Sequence, residues 1–376
     1  MAPKVLVIGG AGAFGRRLVR GLLATTDLEV VVAGRDLARA QSVVDEECVG
    51  SRVGRATAVA LDTRIATAAQ LRDTGAFVVV DAAGPFQRQG YHLAERAIEA
   101  GLHYVDLADS REFVSGFHVL DERAQKASVT ALTGASSTPA LSNAVLDHLT
   151  AGWQAVDDVE IAISPGNRAP RGLAVVRSIL SYAGKPVRVW ENGSWRHRPG
   201  WGAPVRKDIR GLGPRWLSLC ETPDLDVVPT RFAVRRSVTF NAGLELPVMH
   251  LGLFAATIAI RLGLLQSLEP LAETFRRAAD LLDGWGTDRG GMVVAVSGVG
   301  ADGTQVSATW TLLAEAGDGP SIPTLPALAA VRAMASGELH RPGASVCAGV
   351  LPLDAIEREF APYRITTHVE LGTRRE

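Results

Sequence analysis

Lysine is nearly missing from this chain of 376 residues. It stands only at positions 4, 126, 185 and 207, and arginine supplies the rest of the 39 basic residues. A catalytic lysine therefore has only four places to be. Cysteine is scarce as well, and Cys48, Cys220 and Cys347 lie far apart. That spacing excludes a disulfide framework and a paired-cysteine metal knuckle. A reducing, cytoplasmic setting is expected. The net charge is −1, without charge runs or low-complexity tracts, so no strong field favours nucleic acid or an anionic membrane. The longest apolar stretch, Leu244–Leu265, is interrupted by Glu245, Pro247, His250 and Arg261. A spanning helix tolerates such residues poorly. The stretch is expected to be a buried or interface helix, and the chain a homodimer. No signal peptide is expected, because Val5–Ile8 runs straight into glycines.

Tyrosine is rare too. The residues four places after Tyr91, Tyr104, Tyr182 and Tyr363 are Glu95, Ala108, Pro186 and Thr367. No Tyr-x-x-x-Lys exists, which excludes the usual short-chain dehydrogenase acid, since that lysine lowers the tyrosine pKa. No HExxH and no Cys/His ligand spacing supports zinc.

What the chain does have is a regular alternation in its first 135 residues. Apolar strand runs are expected near 5–9, 29–33, 56–61, 77–83, 103–107 and 129–133. Helical patterns lie between them at 13–24, 36–49, 66–74, 91–100 and 111–127. Such alternation predicts a parallel sheet covered on both faces, a doubly wound Rossmann-type α/β domain over 1–150. A linking helix is expected over 139–151. Beyond it the order loosens. A strand is expected at 159–164, a helix at 173–182, weak periodicity over 184–230, and a strand at 232–240. Helices at 248–265 and 268–282 follow, then a hairpin of 292–300 and 305–315 around Asp302-Gly303. That mixture predicts a second, α+β domain with a largely antiparallel sheet over 151–321. Residues 322–376, with helices at 325–334 and 353–360 and a strand near 365–371, are expected to pack back on the first domain.

Gly10-Ala11-Gly12-Ala13-Phe14-Gly15 satisfies GxGxxG between a strand and a helix. In that context Gly10 is expected to make the tight turn, Gly12 to admit a pyrophosphate, and Gly15 to let helix and strand pack closely. Ala13 and Phe14 open the helix, whose N–H groups face the phosphates. Gly9, Gly12 and Gly15 also fit the spacing GxxGxxG. The second strand ends at Gly34-Arg35, where NAD enzymes carry an acid. A guanidinium suits a 2′-phosphate, so NADP is expected over NAD. Asp36 is a plausible helix cap. Asp62 ends the third strand, either as an adenine contact or as a turn cap.

The fourth strand leads into Asp81-Ala82-Ala83-Gly84-Pro85-Phe86. Then come Ala100-Gly101-Leu102-His103-Tyr104-Val105-Asp106 and Ser137-Thr138-Pro139-Ala140-Leu141-Ser142-Asn143. This series resembles the saccharopine dehydrogenase-like oxidoreductases, with their AGPF-type turn, AGxHYVD strand and PGxSN-type helix start. The stretch from Ile322-Pro323 to Gly343-Ala344 also looks like that family. The resemblance implies an NADP-dependent oxidoreductase. Ala83, Gly84, Pro85 and Phe86 would lie beside the nicotinamide, and a small-molecule substrate would enter between the two domains. It also implies a lysine on the helix after the fourth strand. Here that helix has Ala94, Glu95 and Arg96 instead, so the resemblance does not by itself imply saccharopine as the substrate.

Tyr104, Asp106 and Asp109 are the acid–base candidates, and both aspartates also suit helix or turn caps. His92 and His103 read as structural. Arg168, Arg171 and Arg177 enter the second domain together and suit either an anion or the surface. Two other readings stay open: a non-catalytic NADP-binding sensor, and a reductase of a lipid-like enoyl or keto substrate.

Overall fold

The computed structural model describes residues 2–170 and 172–373. Arg171, one of the arginines singled out above, lies outside them. In chain order the strands are β1 Lys4–Ile8, β2 Glu29–Gly34, β3 Ala56–Ala60, β4 Ala76–Asp81, β5 His103–Asp106 and β6 Thr130–Thr133. There follow β7 Ala155–Ser164, β8 Pro186–Glu191, β9 Ser194–Pro199, β10 Val205–Ile209, β11 Gly213–Leu219 and β12 Ser237–Ala242. The last four are β13 Gly290–Val299, β14 Gln305–Ala314, β15 Gly343–Val346 and β16 Ile365–Thr373. They divide between two compact units. One runs through Leu141 and takes in Ser321–Glu359. The other holds Ser142–Pro320 and the chain from Phe360 on.

The first unit is built on a seven-stranded sheet in the order β15-β6-β5-β4-β1-β2-β3, every neighbour parallel. Its central strands are apolar and β-branched because helices cover both faces. Helix Ala13–Thr25 buries Gly15, Leu18, Val19, Leu22 and Leu23, the i, i+3, i+4 stripe of an amphipathic helix. Asp36 caps the next helix, accepting the Arg39 N–H at 3.2 Å. Helix His92–Ala100 stops at Gly101, which takes the left-handed conformation at φ 75°.

The helix expected over 111–127 is broken. Arg111–Gly116 gives way to a 3-10 turn, Phe117–Leu120, before Asp121–Lys126. Gly116 lies against the Tyr91 hydroxyl, which a Cβ there would approach to 2.4 Å. That hydroxyl donates to the Phe113 carbonyl at 2.8 Å. Local packing has overridden propensity here. β15 went unrecognised as a strand, being only four residues long.

The second unit carries a nine-stranded mixed sheet. Its path is β10-β11-β12-β7-β13-β14-β16, with β8 on β12 and β9 on β8. Most pairs are antiparallel; β12 and β7 run parallel. Residues 184–230 hide four strands and helix Asp224–Arg231. β9 and β10 are open on both faces, so no apolar alternation marks them. The strand expected at 232–240 starts at Ser237, after a turn that follows the helix. Of the stretch 322–376, residues to Glu359 group with the first unit, whereas β16 pairs with β14 in the second.

Candidate active site at the carboxyl edge of the parallel sheet

The glycine turn leaves β1 at its carboxyl end. Gly9, not Gly10, holds the left-handed conformation, at φ 69°. It donates to Ala33 O and accepts the Gly12 N–H at 2.8 Å, which ties the turn to β2. Gly15 is the tightest point. A Cβ there would stand 2.1 Å from Gly9 O and 2.8 Å from Gly10 Cα, so helix and turn meet backbone to backbone. Gly12 is the N-cap, and no side chain caps the helix. Gly12 and Ala13 are exposed; Phe14 is half-buried. The first-turn N–H groups and the positive end of the helix dipole are thus open to an anion.

At the end of β2, a Cβ on Gly34 would meet nothing within 4 Å, and Arg35 beside it is exposed. The Asp36 carboxylate is engaged in its cap and does not compete for a 2′-phosphate through that oxygen. Asp62 binds the Arg64 guanidinium with both oxygens. Those bonds, with a smaller contribution from the charge of Arg35, hold its pKa down at about 2. Two guanidinium groups, Arg35 and Arg64, therefore sit around one acid at the ends of β2 and β3. An uncapped helix start, an open glycine and adjacent cations fit a dinucleotide with a phosphorylated ribose.

Three strands end in the same way. Asp62 accepts the Arg64 N–H at 3.1 Å, Asp81 the Ala83 N–H at 2.9 Å, and Asp106 the Ala108 N–H at 3.0 Å. Each carboxylate caps the N–H two residues on, the Asx-turn pattern. Asp62, left open between two roles, is seen as a turn cap.

Gly84 and Pro85 are exposed at the carboxyl end of β4, and Ala83 is half-buried. A Cβ on Gly9 would stand 2.9 Å from Ala83, so this loop and the glycine turn touch. Phe86 differs from expectation. Its ring is buried, 5.3 Å from the Phe113 centroid. It packs in the core beneath the loop, with Phe113 and Tyr91 beside it.

The three acid–base candidates separate. Asp109 is exposed, and its Oδ1 accepts from Gln87 Nε2 at 3.3 Å, linking the loops after β5 and β4. Tyr104 and Asp106 are buried, with 1% and 0% of their surface exposed. Asp106 Oδ1 accepts Ala108 N–H, Gly134 N–H at 2.7 Å and the Thr133 hydroxyl at 2.9 Å. Its Oδ2 has no hydrogen-bond partner among the described residues. Burial pushes the Asp106 acid up to about 7 and Asp81, beside it in register, to about 6. Burial and both carboxylates push Tyr104 well above its ordinary value. Asp106 holds the loops after β5 and β6 through Oδ1, and neither it nor Tyr104 reaches solvent. Tyr104 packs in one cluster with Phe113 and Phe117, and Asp106, two residues on, lies on the same face of the strand.

His92 and His103 are engaged with the backbone. His103 Nδ1 accepts the Thr130 N–H, and His92 Nε2 bonds with Ala66 O. In the second unit, the motif residues Ser142 and Asn143 both donate to Asp224, which is fully buried and raised to about 7 by desolvation. Sequence reading missed Asp224 and Arg64. The pairing of Asp224 spans 82 residues and leaves no local signal, whereas Asp-x-Arg at a strand end was visible. Among the described residues no group of His, Cys, Asp and Glu could hold a metal, and no helix is long and apolar enough to cross a membrane.

Residues 5–132 match the family model of the saccharopine dehydrogenase NADP binding domain. No curated protein matches the chain by sequence. Among solved structures, the chain is similar to apo saccharopine dehydrogenase (L-Glu forming) from Saccharomyces cerevisiae. Identity is 15%, the TM-score is 0.71, and the match covers 99% of this chain and 100% of that one. A meso-dapdh mutant with DAP, from Clostridium tetani, matches at 12% identity and a TM-score of 0.48, covering 96% and 98%.

Proposed function

The chain belongs, through residues 5–132, to the saccharopine dehydrogenase-like NAD(P)-binding family, and on that premise we propose that it is an NADP-dependent oxidoreductase. Hydride would pass to or from a C=N or C=O carbon at the carboxyl edge of the parallel sheet. The observation that carries this reading is the cradle itself: an uncapped helix start held against Gly9 by Gly15, with Arg35 exposed at the end of β2. The dinucleotide, when bound, supplies the hydride chemistry. The chain's own residues bind and orient. Helix N–H groups from Ala13 on take the pyrophosphate, Arg35 takes the 2′-phosphate, and Gly84 and Pro85 form the wall beside the nicotinamide.

Asp109 is the exposed acid, so it takes the proton-handling role, steadied by the Gln87 amide. Asp106, Asp81 and Tyr104 act as positioning residues beneath it. No lysine is needed in this scheme.

Calorimetric titration with NADPH and NADH tests the cofactor. Arg35→Ala weakens NADPH binding more than tenfold, about 1.4 kcal/mol, and changes NADH binding less than twofold. Equal loss for both nucleotides, or no loss, removes the 2′-phosphate role. Imines, ketones and enoyl compounds are then screened for NADPH oxidation. With an active substrate, Asp109→Asn lowers kcat by roughly 100-fold and leaves the NADPH Kd unchanged. An unchanged kcat takes Asp109 out of the mechanism. Tight NADPH binding with no turnover of any of these classes favours the sensor reading.

A further inference from the structure

The loop after β3 carries an acid and a base two residues apart, closed on each other. Asp62 Oδ1 accepts the Arg64 N–H at 3.1 Å and its Nε at 3.0 Å, and Oδ2 accepts from Nη2 of the same guanidinium. The pair stands beside Arg35. β2 and β3 run parallel with Gly34 opposite Ala60, and the Leu61 N–H donates to Gly34 O at 2.9 Å. One strand thus leads into Arg35 and its neighbour into Asp62. Asp62 feels the charge of Arg35 as well as that of Arg64. In NAD enzymes the acid that accepts the ribose 2′-hydroxyl stands at the end of the second strand. Here that end carries a cation, and the acid stands one strand over under a guanidinium.

We propose that the Asp62–Arg64 pair sets the choice between a phosphorylated and a plain ribose, an inference that rests on the dinucleotide reading above. Covered, Asp62 leaves the ends of β2 and β3 positive, and Arg64 stands with Arg35 toward the 2′-phosphate. Uncovered, the same carboxylate faces that phosphate as a like charge and offers an acceptor to a free 2′-hydroxyl. Arg64 therefore acts twice: it attracts the phosphate and it cancels the acid.

Charge is the first argument. The Arg64 bonds hold Asp62 near 2, so the carboxylate is ionised across the neutral range and repels a phosphate unless a cation covers it. Spare donors are the second. A guanidinium has five N–H groups. Among the described residues only Nε and Nη2 of the Arg64 side chain are bonded, which leaves Nη1 for a phosphate oxygen. The third is that the fold does not call for this guanidinium. Asp62 caps its turn through the Arg64 backbone N–H. The Arg64 side chain is 71% exposed, and an ion pair that open adds little stability.

The test is calorimetric titration of the full chain with NADPH and with NADH, for wild type, Arg64→Ala, and Arg64→Ala combined with Asp62→Asn. All three keep the same circular dichroism. Arg64→Ala weakens NADPH binding at least about tenfold and tightens NADH binding about threefold. Adding Asp62→Asn, which keeps an oxygen for the turn, recovers NADPH binding by at least about threefold and cancels the gain for NADH. That recovery shrinks as salt rises from about 0.05 to 1 M, which a purely structural defect would not do. Equal NADPH affinity in the single and double variants overturns the proposal, because the uncovered acid is then not felt. An equal loss of NADPH and NADH in Arg64→Ala reports a damaged loop and overturns it too. Wild-type affinities in Arg64→Ala overturn it while leaving the cofactor reading intact, provided Arg35→Ala loses NADPH. A wild type that binds neither nucleotide overturns the cofactor reading and this proposal with it.

Discussion

Asp106→Leu unfolds the first unit or leaves it barely folded, the largest effect expected of any single change in the chain. The leucine fills the space but accepts nothing. Ala108 N–H, Gly134 N–H and the Thr133 hydroxyl each lose a partner in the interior. A buried donor left unmade costs about 1–3 kcal/mol, so the three together cost roughly 3–9 kcal/mol. That is a large share of the roughly 5–15 kcal/mol by which domains are stable. Asp106→Asn keeps Oδ1 as acceptor and retains most of this stability. Urea titration of both variants checks the contrast; equal loss in the two would show that Oδ1 does not carry the loops.

The same residue sets a pH dependence. In the unfolded chain its acid titrates near 3.8, and in the folded protein near 7. The folded state therefore holds the proton longer, and the benefit is complete below about pH 4. As pH rises from about 4 to about 7 the native state must give up or bury a charge, and stability falls. Each such group contributes a slope of up to about 1.4 kcal/mol per pH unit. Asp81 and Asp224 act in the same direction. Asp62 and Glu273, held near 2, act in the opposite sense: their contribution is complete above about pH 5 and is lost as pH falls from there towards 2. Urea midpoints thus drop between pH 5 and pH 8 in the wild type, and drop less in Asp106→Asn. An identical slope in that variant would mean Asp106 is ionised throughout.

Gly15→Ala removes NADPH binding almost completely. The added methyl would stand 2.1 Å from a backbone oxygen, and no side chain can swing aside to relieve it. The helix start must move away from the glycine turn. Overpacking of this kind costs about 1–3 kcal/mol in stability. The effect on binding is greater, because a shift of about 1 Å in a positioned group can lose about 100-fold. A calorimetric Kd at least about 100-fold weaker is expected, with the protein still folded. Gly284→Ala, where a Cβ meets nothing within 4 Å, leaves both unchanged. Wild-type affinity in Gly15→Ala would remove the glycine turn from the cofactor site.

The strand–turn–helix at residues 4–25 was legible because its chemistry is local. An apolar run, glycines at set spacing and an apolar stripe all lie within 22 residues. Six strands of the parallel sheet could be read from their alternation for the same reason; the four-residue β15 could not. The Asx caps were half legible: Asp62, Asp81 and Asp106 stood out as strand-ending acids, but whether they faced a ligand or their own backbone was not written there.

Asp106 was decided by the turn after β6, 28 residues on, whose Gly134 N–H turns its carboxyl inward. Tyr104 was decided by Phe117, stacked 5.9 Å away. The burial of Phe86 was decided by Phe113 in the same way. Asp224 meets Ser142 and Asn143 across about 80 residues of chain, and β8 to β10 owe their strands to neighbours more than to their own faces. Sequence alone determined where the chain turns, where a helix starts without a cap and which strands are covered, since backbone geometry and apolar period act over a few residues. Tertiary structure decided which acids are dry and which are wet. Burial is a property of neighbours, and those neighbours come from elsewhere in the chain.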